Sequence, residues 1–378
     1  MSRCSQADRE FLQHALKLAA RASIETSPNP RVGCVIVADG RIIGEGWTQA
    51  VGQAHAEVQA LRDAAGRGEE VRGATVYVTL EPCSHFGRTP PCANALVDAG
   101  VARVVAAVGD ANPLVAGKGL EILRAAGMEV ECAVHRDLAM QVREMNVGFF
   151  RRMESGLPWV RMKLAASADG RTALPNGESQ WITSAEARAD GHRWRARADA
   201  ILTGIGTVLK DNPQMNVRGI ETPRPPYKVI VDSQLKTPPD ARILQGAKTL
   251  IACASPDAQR QTALEAKGAE ILCLPGERGQ VDLPALLREL GRRQCNELHV
   301  EAGAQLNGAL FTAGLADELL LYLAPRLLGN GAGLMQLPEL SHVDQSALWH
   351  WHEVSHAGPD LRLLLRRHDG AVGLFDRS

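Results

Sequence analysis

The architecture of this chain can be inferred from three short segments, His55-Ala56-Glu57, Pro82-Cys83 and Pro91-Cys92. An apolar pattern with a helical period begins at His55 and predicts a helix over residues 55–65. Cys83 follows a run of β-branched residues over 74–80 that predicts a strand. Pro91 suits the first position of another helix, whose N-terminus favours a thiolate at Cys92. One histidine and two cysteines are therefore expected to meet at the ends of these elements.

The residue types in these segments match the layout of a zinc-dependent deaminase, in which the glutamate need not bind the metal. Three nitrogen and sulfur ligands leave one position of a tetrahedral Zn²⁺ ion open for water, whose pKa the metal lowers to about 7. Glu57 is then the predicted catalytic proton carrier between the water, the ring nitrogen and the leaving ammonia. A purely structural zinc site usually has four protein ligands and would leave Glu57 without a task. A chance tripeptide beside two buried cysteines is the remaining alternative.

Composition restricts the classes of protein to which the chain can belong. A length of 378 residues with 45% hydrophobic content predicts two or more domains with real cores. A net charge of −1 argues against a nucleic-acid partner, because such proteins usually carry a basic face. No membrane partner is expected, since no run of about 18 apolar residues and no signal-peptide core is found. Eight cysteines without framework spacing predict a reducing, cytoplasmic location.

Helical and strand patterns alternate along the chain and predict two α/β domains with a linker between them. The predicted bounds are 1–150 for the first domain, 151–158 for the linker and 159–378 for the second domain. In the first domain this alternation predicts three layers around a largely parallel sheet. The predicted helices are 9–22, 55–65, 91–99, 119–126 and 137–149, followed in the second domain by 184–197, 258–267, 283–291 and 307–313. The predicted strands are 32–38, 41–45, 74–80, 102–108 and 129–134, then 159–165, 200–203, 228–232, 249–252, 270–274, 297–301 and 319–323, with a half-exposed strand at 349–354.

Longer segments carry a resemblance to one enzyme family. They are residues 28–33, 55–58, 79–92 and 111–119 in the first domain, and 163–171, 177–183, 207–213 and 300–303 in the second. The chain resembles the bifunctional riboflavin-biosynthesis family, in which a diaminohydroxyphosphoribosylaminopyrimidine deaminase is fused to a 5-amino-6-(5-phosphoribosylamino)uracil reductase. The resemblance extends from about Asp8 to Leu365, and its most specific part, 79–92, includes the eight residues that separate Cys83 from Cys92.

The resemblance implies both the folds and the reactions of the two domains. It implies a cytidine-deaminase-like three-layer α/β/α domain followed by a dihydrofolate-reductase-like α/β domain. The first would bind one Zn²⁺ ion and replace the 2-amino group of a phosphorylated pyrimidine with oxygen. The second would use NADPH to reduce the ribose of the product to a ribityl chain. The family often self-associates, so a homo-oligomer is expected.

In the first domain the resemblance makes His55, Cys83 and Cys92 the metal ligands and Glu57 the catalytic residue. Two further residues are candidates for substrate binding. Asn29 either hydrogen-bonds the base or ribose or stabilises its Pro-flanked turn, and His85 either reaches substrate or is an ordinary loop histidine. Lys118 either meets a phosphate or is a solvated lysine before a helix. Thr48 stands where many members of the family have a histidine, so any substrate contact of that histidine is in doubt here.

In the second domain the cofactor is expected at the segment from Gly303 to Gly308, because no Gly-x-Gly-x-x-Gly follows the first strand. This segment follows a predicted strand and precedes a helix, where backbone N–H groups suit a pyrophosphate; an ordinary turn is the alternative. The resemblance assigns cofactor contacts to Ala165, Trp181, Thr207, Asp211, Ser233, Gly303, Ala304, Gln305, Leu306, Asn307 and Gly308. It assigns substrate contacts to Ser179, Arg195, Met215, Arg218 and Glu301.

Two side-chain types in the second domain suggest chemical roles. Arg195 and Arg218 are predicted to bind the substrate phosphate, because a planar guanidinium can hold two oxygens at once. Lys163 lies in mid-strand among apolar neighbours, where an unpaired charge is costly, and is predicted to polarise the substrate or assist proton transfer. Protonation during reduction is left open between Lys163, Asp211, Glu301 and water.

Two other functions compete with this interpretation. A deaminase that acts on a nucleic-acid base predicts a basic surface and usually a short Cys-x-x-Cys, and neither is evident in the sequence. Alternatively, the second domain binds a nucleotide or pairs subunits without hydride chemistry. In that case NADPH would bind but would not be consumed when the deaminated substrate is present.

Overall fold

The structure is a computed structural model that describes residues 5–22, 24–84, 91–222 and 224–367. Its residue contacts divide the chain into two compact units, the first ending at Ser155 and the second beginning at Gly156. The helices of the first unit are α1 Gln6–Ala19, α2 Ala56–Gly66, α3 Cys92–Ala99, α4 Lys118–Ala125, α5 Arg136–Met145 and α6 Val147–Ser155. Its strands are β1 Gly33–Ala38, β2 Arg41–Trp47, β3 Thr75–Val78, β4 Arg103–Ala106 and β5 Glu129–Cys132.

The sheet of the first unit has the order β2-β1-β3-β4-β5 and is mixed. β3, β4 and β5 are parallel, whereas β1 is antiparallel to both of its neighbours. The expectation of a largely parallel sheet was therefore wrong for β1 and β2. The physical reason is the two-residue turn at Asp39 and Gly40, with φ of 50° and 72°. Such a turn closes a hairpin and is far too short for a parallel crossover.

The core of the first unit forms where α1 packs on the sheet. Leu12 and Leu18 lie on one face of α1 and are each 1% exposed. Burial of such a leucine contributes roughly 1.5–3 kcal/mol. The approach is close at Gly33, where an added Cβ would lie 1.9 Å from the carbonyl oxygen of Ala15. This contact explains why β1 begins with a glycine.

The end of the first unit differs from the prediction of one helix over 137–149. The helix is interrupted at Asn146, whose side chain accepts a hydrogen bond from the backbone N–H of Arg31 at 2.7 Å and donates to the Arg31 carbonyl at 3.0 Å. These contacts draw Asn146 out of helical geometry between α5 and α6. α6 then continues to Ser155, so the first five residues of the predicted 151–158 linker are helical.

The second unit is built on nine strands in the order β11-β10-β9-β8-β12-β6-β13-β16-β15. The strands of this unit, including a separate β7–β14 pair, are β6 Trp159–Ser167, β7 Arg171–Ala173, β8 Ala200–Gly204, β9 Tyr227–Val231, β10 Thr249–Cys253, β11 Ala269–Cys273, β12 Glu297–Val300, β13 Glu318–Ala324, β14 Ala332–Gly333, β15 Trp349–Ala357 and β16 Asp360–Arg367. Its helices are α7 Ala185–Arg197, α8 Ile205–Asp211, α9 Ala258–Glu265, α10 Leu283–Arg292 and α11 Ala304–Thr312.

The strands from β11 to β13 are parallel, and β16 and β15 extend the sheet antiparallel. Because parallel strands end at the same edge, the ends of β6, β8, β9 and β12 lie together, as in the crevices where open α/β sheets bind ligands. The sequence patterns missed α8, β7, β14 and β16. Within the described ranges, the helices are too short or too polar to span a bilayer.

Candidate active sites

In the first unit, three side chains converge as the sequence predicts. His55 is the residue before α2, Cys83 follows β3, and Cys92 is the first residue of α3. Their ligand atoms all lie within 4.8 Å of one another. The Nδ1 atom of His55 is 3.7 Å from the Cys83 sulfur and 3.4 Å from the Cys92 sulfur. Among the residues that the structure describes, this histidine and these two cysteines form the group whose donor atoms are close enough to hold one metal ion.

The electrostatics of the cluster favour the thiolate form of Cys83. The Cys92 backbone N–H donates to the Cys83 sulfur at 3.3 Å. Contact with the Cys92 thiol lowers the pKa of Cys83 to about 4, with His55 acting in the same direction and burial opposing it. The same contact, together with burial, raises the pKa of Cys92. One nitrogen and two sulfur donors form a set that suits Zn²⁺ and leaves one of its four positions open.

Glu57 lies in the first turn of α2, two residues beyond His55. It is 4% exposed, and burial, followed by the charge of Cys83, raises its pKa to about 7.

Asp110, which the sequence interpretation did not include, is a second acidic residue on which the charge of Cys83 acts. Burial raises the pKa of Asp110 to about 7, and the charges of Glu81, Cys83 and Glu57 act in the same direction. No sequence signal distinguished Asp110 from an ordinary loop aspartate.

The other residues of the first unit that the sequence singled out for a possible substrate contact are Asn29, Lys118, His85 and the position of Thr48. The Asn29 backbone N–H donates to the Thr26 carbonyl at 2.8 Å, which closes a turn, and the substrate role of Asn29 stays a prediction. Lys118 is exposed and its Nζ donates to the Leu114 carbonyl at 3.4 Å.

Thr48 is 4% exposed, and its hydroxyl accepts from the Val32 backbone N–H at 3.0 Å. The side chain of Thr48 is therefore hydrogen-bonded to the backbone of the residue that precedes β1. His85 lies outside the described residues.

In the second unit, a cavity of about 960 Å³ lies at the ends of the parallel strands. The predicted residues that line it are Lys163, Ala165, Ser179, Trp181, Arg195, Thr207, Asp211, Met215, Arg218, Ser233, Glu301, Gly303, Ala304, Gln305, Leu306 and Asn307. Gly308 is not among the lining residues. An added Cβ on Gly308 would lie 1.9 Å from the Gln336 carbonyl oxygen, so this glycine serves close packing of α11.

The segment predicted to hold a pyrophosphate lies where β12 passes into α11. Gly303 is the N-cap residue of α11, so the first backbone N–H groups of this helix lie at the cavity wall. Gly204, the N-cap residue of α8, would place an added Cβ 3.1 Å from the Leu306 side chain. The segment that follows β8 is thus the start of a helix. The two helix starts line one cavity.

Arg195 and Glu301 form an ion pair in the wall of this cavity. The Arg195 Nη2 atom lies 2.9 Å from the second Glu301 carboxylate oxygen, and Nη1 donates to the Asn216 carbonyl at 2.8 Å. Burial would raise the pKa of Glu301, but the Arg195 guanidinium holds it well below its usual range. Since Arg195 is committed to these partners, Arg218, whose side chain is exposed, is the more available of the two arginines for a phosphate.

Lys163 and His192 complete the polar surroundings of the pair. Burial lowers the pKa of Lys163, while the charge of Glu301 opposes and that of Arg195 assists this shift. His192, which no sequence pattern singled out, accepts the Arg218 backbone N–H at 3.2 Å through Nδ1. Burial and the charges of Arg195 and Arg218 lower the pKa of His192 to about 4, so the ring is neutral at neutral pH.

The cavity carries an excess of basic side chains. Six basic residues line it, against the three acidic residues Asp211, Asp232 and Glu301. The basic residues are Lys163, Arg195, Lys210, Arg218, Lys236 and Arg242. Such an imbalance attracts anionic ligands.

Two family models match the chain, one in each unit. The family described as RibD C-terminal domain matches residues 158–363, and the family described as cytidine and deoxycytidylate deaminase zinc-binding region matches residues 5–108. Among curated relatives, riboflavin biosynthesis protein RibD of Escherichia coli K12 is 46% identical over 372 residues, covering 95% of this chain and 99% of that protein. RibD of Haemophilus influenzae Rd is 45% identical and covers 95% of this chain and 97% of its own length.

Solved structures show the same similarity. RibD of Acinetobacter baumannii superimposes with a TM-score of 0.86 and 41% sequence identity, covering 96% of this chain and 99% of that chain. A Thermotoga maritima protein described as a diaminohydroxyphosphoribosylaminopyrimidine deaminase/5-amino-6-(5-phosphoribosylamino)uracil reductase gives a TM-score of 0.83 at 31% identity, with coverage of 96% and 99%. The folds predicted for the two domains are thereby confirmed.

Proposed function

The chain belongs to the RibD family of riboflavin biosynthesis proteins, and we propose that it catalyses two successive reactions on one phosphorylated pyrimidine. The first unit removes ammonia hydrolytically from 2,5-diamino-6-(5-phosphoribosylamino)pyrimidin-4(3H)-one. The second unit reduces the ribose of 5-amino-6-(5-phosphoribosylamino)uracil with NADPH to give the ribityl product. The observation that carries the proposal is the buried Glu57 beside a three-ligand cluster in a unit separate from the strand-end cavity.

For deamination, His55, Cys83 and Cys92 would hold one zinc ion, because their donor atoms are close and of the types that zinc prefers. Zinc, when bound, supplies the Lewis acidity that makes water a nucleophile near neutral pH. Glu57 is the proton carrier in this mechanism. Its position in the first turn of α2 keeps the carboxyl next to the cluster, and its burial keeps bulk water away from the proton that it transfers.

For reduction, the residues of the cavity bind, orient and protonate. NADPH, when bound, supplies the hydride. The N-terminus of α11 suits its pyrophosphate, and the exposed Arg218 suits the substrate phosphate. Opening of the ribosylamine would give an imine carbon able to accept hydride, so positioning and exclusion of water are the main tasks of the site.

Lys163 is the best-supported proton donor for this reduction. Glu301 remains ionised because Arg195 holds its pKa low, and an ionised carboxylate has no proton to give. The Lys163 pKa is lowered by burial, which makes its ammonium a better acid than that of an ordinary lysine. Arg195 and Glu301 then orient the substrate.

The remaining residue assignments belong to the same proposal. Asn29 and His85 contact substrate in the first unit, and Ser179, Met215 and Glu301 contact it in the second. The cofactor contacts comprise Ala165, Trp181, Thr207, Asp211, Ser233 and the segment from Gly303 to Gly308; Gly308 would act through packing. The deaminase and reductase portions are proposed as 1–150 and 159–378.

A single assay tests both activities. The purified protein is mixed with the diaminopyrimidine ribosylamino phosphate, and ammonia release and NADPH oxidation are followed separately. We expect ammonia first and NADPH consumption afterwards, with no NADPH consumption when the diamino substrate is replaced by buffer. Ammonia without NADPH oxidation would contradict the reductase assignment and favour a binding role for the second unit. Neither signal, in protein that contains zinc, would contradict the proposed substrate.

We further propose that the protein is a homo-oligomer, a dimer or larger. Support comes from β15, an edge strand of the nine-stranded sheet, on which Trp351 and Val354 are 62% and 61% exposed. An exposed apolar edge strand is a surface that natural proteins usually cover. Light scattering should give a mass of at least two chains for the wild type and a lower mass for Trp351→Arg. A monomeric wild type would contradict the proposal.

A cytoplasmic location is also proposed. The described cysteines, at 34, 83, 92, 132, 253, 273 and 295, are all free thiols, as is usual in a reducing compartment. Fractionation of cells that produce the tagged protein should recover it with cytoplasmic markers. Recovery with the membrane or secreted fraction would contradict this assignment.

A further inference from the structure

Glu81 is a buried carboxylate beside the metal cluster for which the deamination mechanism has given no task. It is 3% exposed and lies two residues before Cys83. One carboxylate oxygen accepts the backbone N–H groups of Asp110 and Gly117, at 3.1 and 3.0 Å. The other accepts those of Gly119 and Leu120, at 3.0 and 3.4 Å. A single side chain thus holds four backbone donors.

These four donors belong to the loop between β4 and α4 and to the first turn of α4. We call residues 109–117 the β4–α4 loop. The first turn of α4, into which the loop leads, lies against the segment that carries Cys83, because an added Cβ on Gly119 would be 1.9 Å from the Pro82 carbonyl oxygen. Gly117 has a φ of 85°, a left-handed conformation that glycine adopts without strain. The loop therefore has little freedom to shift relative to Cys83 while Glu81 holds it.

The hydrogen bonds of Glu81 do more than cap a helix. A cap satisfies N–H groups within the first turn, as the bonds from Gly119 and Leu120 do. The bonds from Asp110 and Gly117 instead join the two ends of the loop through one oxygen atom. The backbone N–H of Glu81 also donates to the Val108 carbonyl at 2.9 Å, immediately before the loop. The loop is thus bound at both ends to the segment that carries Cys83.

We propose that Glu81 is a positioning residue for deamination, which fixes the β4–α4 loop relative to Cys83 so that the loop can contact the pyrimidine substrate. The proposal rests on the proposed deaminase function. Glu81 is not a ligand and transfers no proton in it. Its effect passes through the backbone of the loop, so disturbance of Glu81 should weaken substrate binding while the metal cluster remains intact.

The test is Glu81→Gln in the full-length zinc-loaded protein. The glutamine keeps the size of the side chain, but its NH₂ group would face one pair of backbone N–H donors where an oxygen now accepts them. We expect KM for the diaminopyrimidine substrate to rise about tenfold or more, because a displaced contact loop misplaces the substrate. Zinc content by mass spectrometry should remain at one ion per chain, and NADPH oxidation with the deaminated substrate should be unchanged.

A binding measurement separates this effect from a change in chemistry. In the Glu57→Gln background, which turns over too slowly to consume substrate, calorimetry should show weaker substrate binding when Glu81→Gln is added. The matched control is Ser5→Ala, which removes the side-chain cap of α1 in the same unit. It should lower the melting temperature without changing KM.

Three results would overturn the inference. They are an unchanged KM in Glu81→Gln, a loss of zinc from that variant, or an equal KM increase in Ser5→Ala. Failure of the proposed function is distinguishable, because it would appear as no ammonia release from the zinc-loaded wild type.

Discussion

The metal cluster of the first unit and the cavity of the second differ in how much of the chain each requires. Three candidate ligands form the cluster: His55 immediately before α2, Cys83 in the segment after β3, and Cys92 at the start of α3. The cavity is lined by residues from Lys163 to Leu334, drawn from several strand ends and the loops that follow them. A site with three indispensable groups should fail completely when one is lost, whereas a site with distributed contacts should lose activity in steps.

Removal of the metal should produce the largest and most selective effect. Treatment with a zinc chelator, or the Cys83→Ala substitution, should abolish ammonia release and leave NADPH oxidation with the deaminated substrate unchanged. The reason is that the cluster lies in the first unit only. Cys132→Ala, which removes a thiol outside the cluster in the same unit, should retain zinc and activity. Parallel loss of both activities in the chelated protein would contradict independent sites.

Glu57→Gln should lower the deamination rate by about 10²–10⁴-fold, the usual contribution of a positioned proton carrier. Zinc content should be retained, because Glu57 is not one of the three ligands. Glu69→Gln, at a surface ion pair with Arg41, is the control and should deaminate normally. Normal deamination by Glu57→Gln would assign the cluster a structural role instead.

The pH dependence of the reduction rate tests the proposed role of Lys163 in the second site. Its ammonium is the proposed proton donor, so the reduction rate should fall as pH rises through the lowered pKa of Lys163, below the ordinary value of 10.5. Lys163→Met should reduce the rate by about 10²-fold and remove this alkaline decline. Lys163→Arg keeps the charge but does not deprotonate, and it should also lack the decline. A decline that persists in both variants would belong to another group.

Arg218→Ala should have the smallest of these effects. A charged hydrogen bond contributes roughly 1.5–3 kcal/mol, which corresponds to an increase in the reductase KM of about 10–150-fold with kcat less affected. Arg193→Ala, on α7 with its side chain 70% exposed, is the control. If Arg218→Ala instead abolished reduction altogether, the view of the second site as a set of distributed contacts would be wrong.

The same contrast explains what the sequence could reveal. The patterns and spacing around His55, Cys83 and Cys92 are local, so the sequence alone could predict that these side chains meet. The catalytic role of Glu57 stays a prediction. The Glu-Pro-Cys triplet gave no indication that Glu81 holds a loop beginning some 30 residues later. Its four bonds go to backbone N–H groups. Because every residue except proline has such a group, the sequence does not indicate which of them Glu81 binds.

The second site was harder to derive, because its contacts depend on strand order. The pairing of Arg195 with Glu301 joins α7 to the residue after β12, about 100 positions apart. Periodicity predicts each element but not which strand ends meet, so the sequence could offer Arg195 as a phosphate ligand without revealing its partner. His192 was missed for the same reason. Its Nδ1 atom accepts a hydrogen bond from the backbone N–H of Arg218, a contact that depends on the fold.

Local patterns also misjudged β1, β2 and the end of the first unit. The dipeptide Asp39-Gly40 between two predicted strands is typical of a hairpin turn, which makes the two strands antiparallel. The alternation of helices and strands, taken alone, predicted a largely parallel sheet instead. The break at Asn146 had no comparable signal. It depends on hydrogen bonds to Arg31, which lies at the opposite end of the unit in sequence.

The surplus of basic over acidic side chains around the second cavity has a consequence for experimental conditions. With six basic and three acidic residues in its lining, the cavity will also attract small anions from the buffer. Inorganic phosphate or sulfate in the assay would compete with the substrate phosphate, and added salt would screen the attraction of both. Apparent affinities measured in phosphate buffer would therefore underestimate those in a buffer of weakly binding ions, and the discrepancy should affect reduction more than deamination.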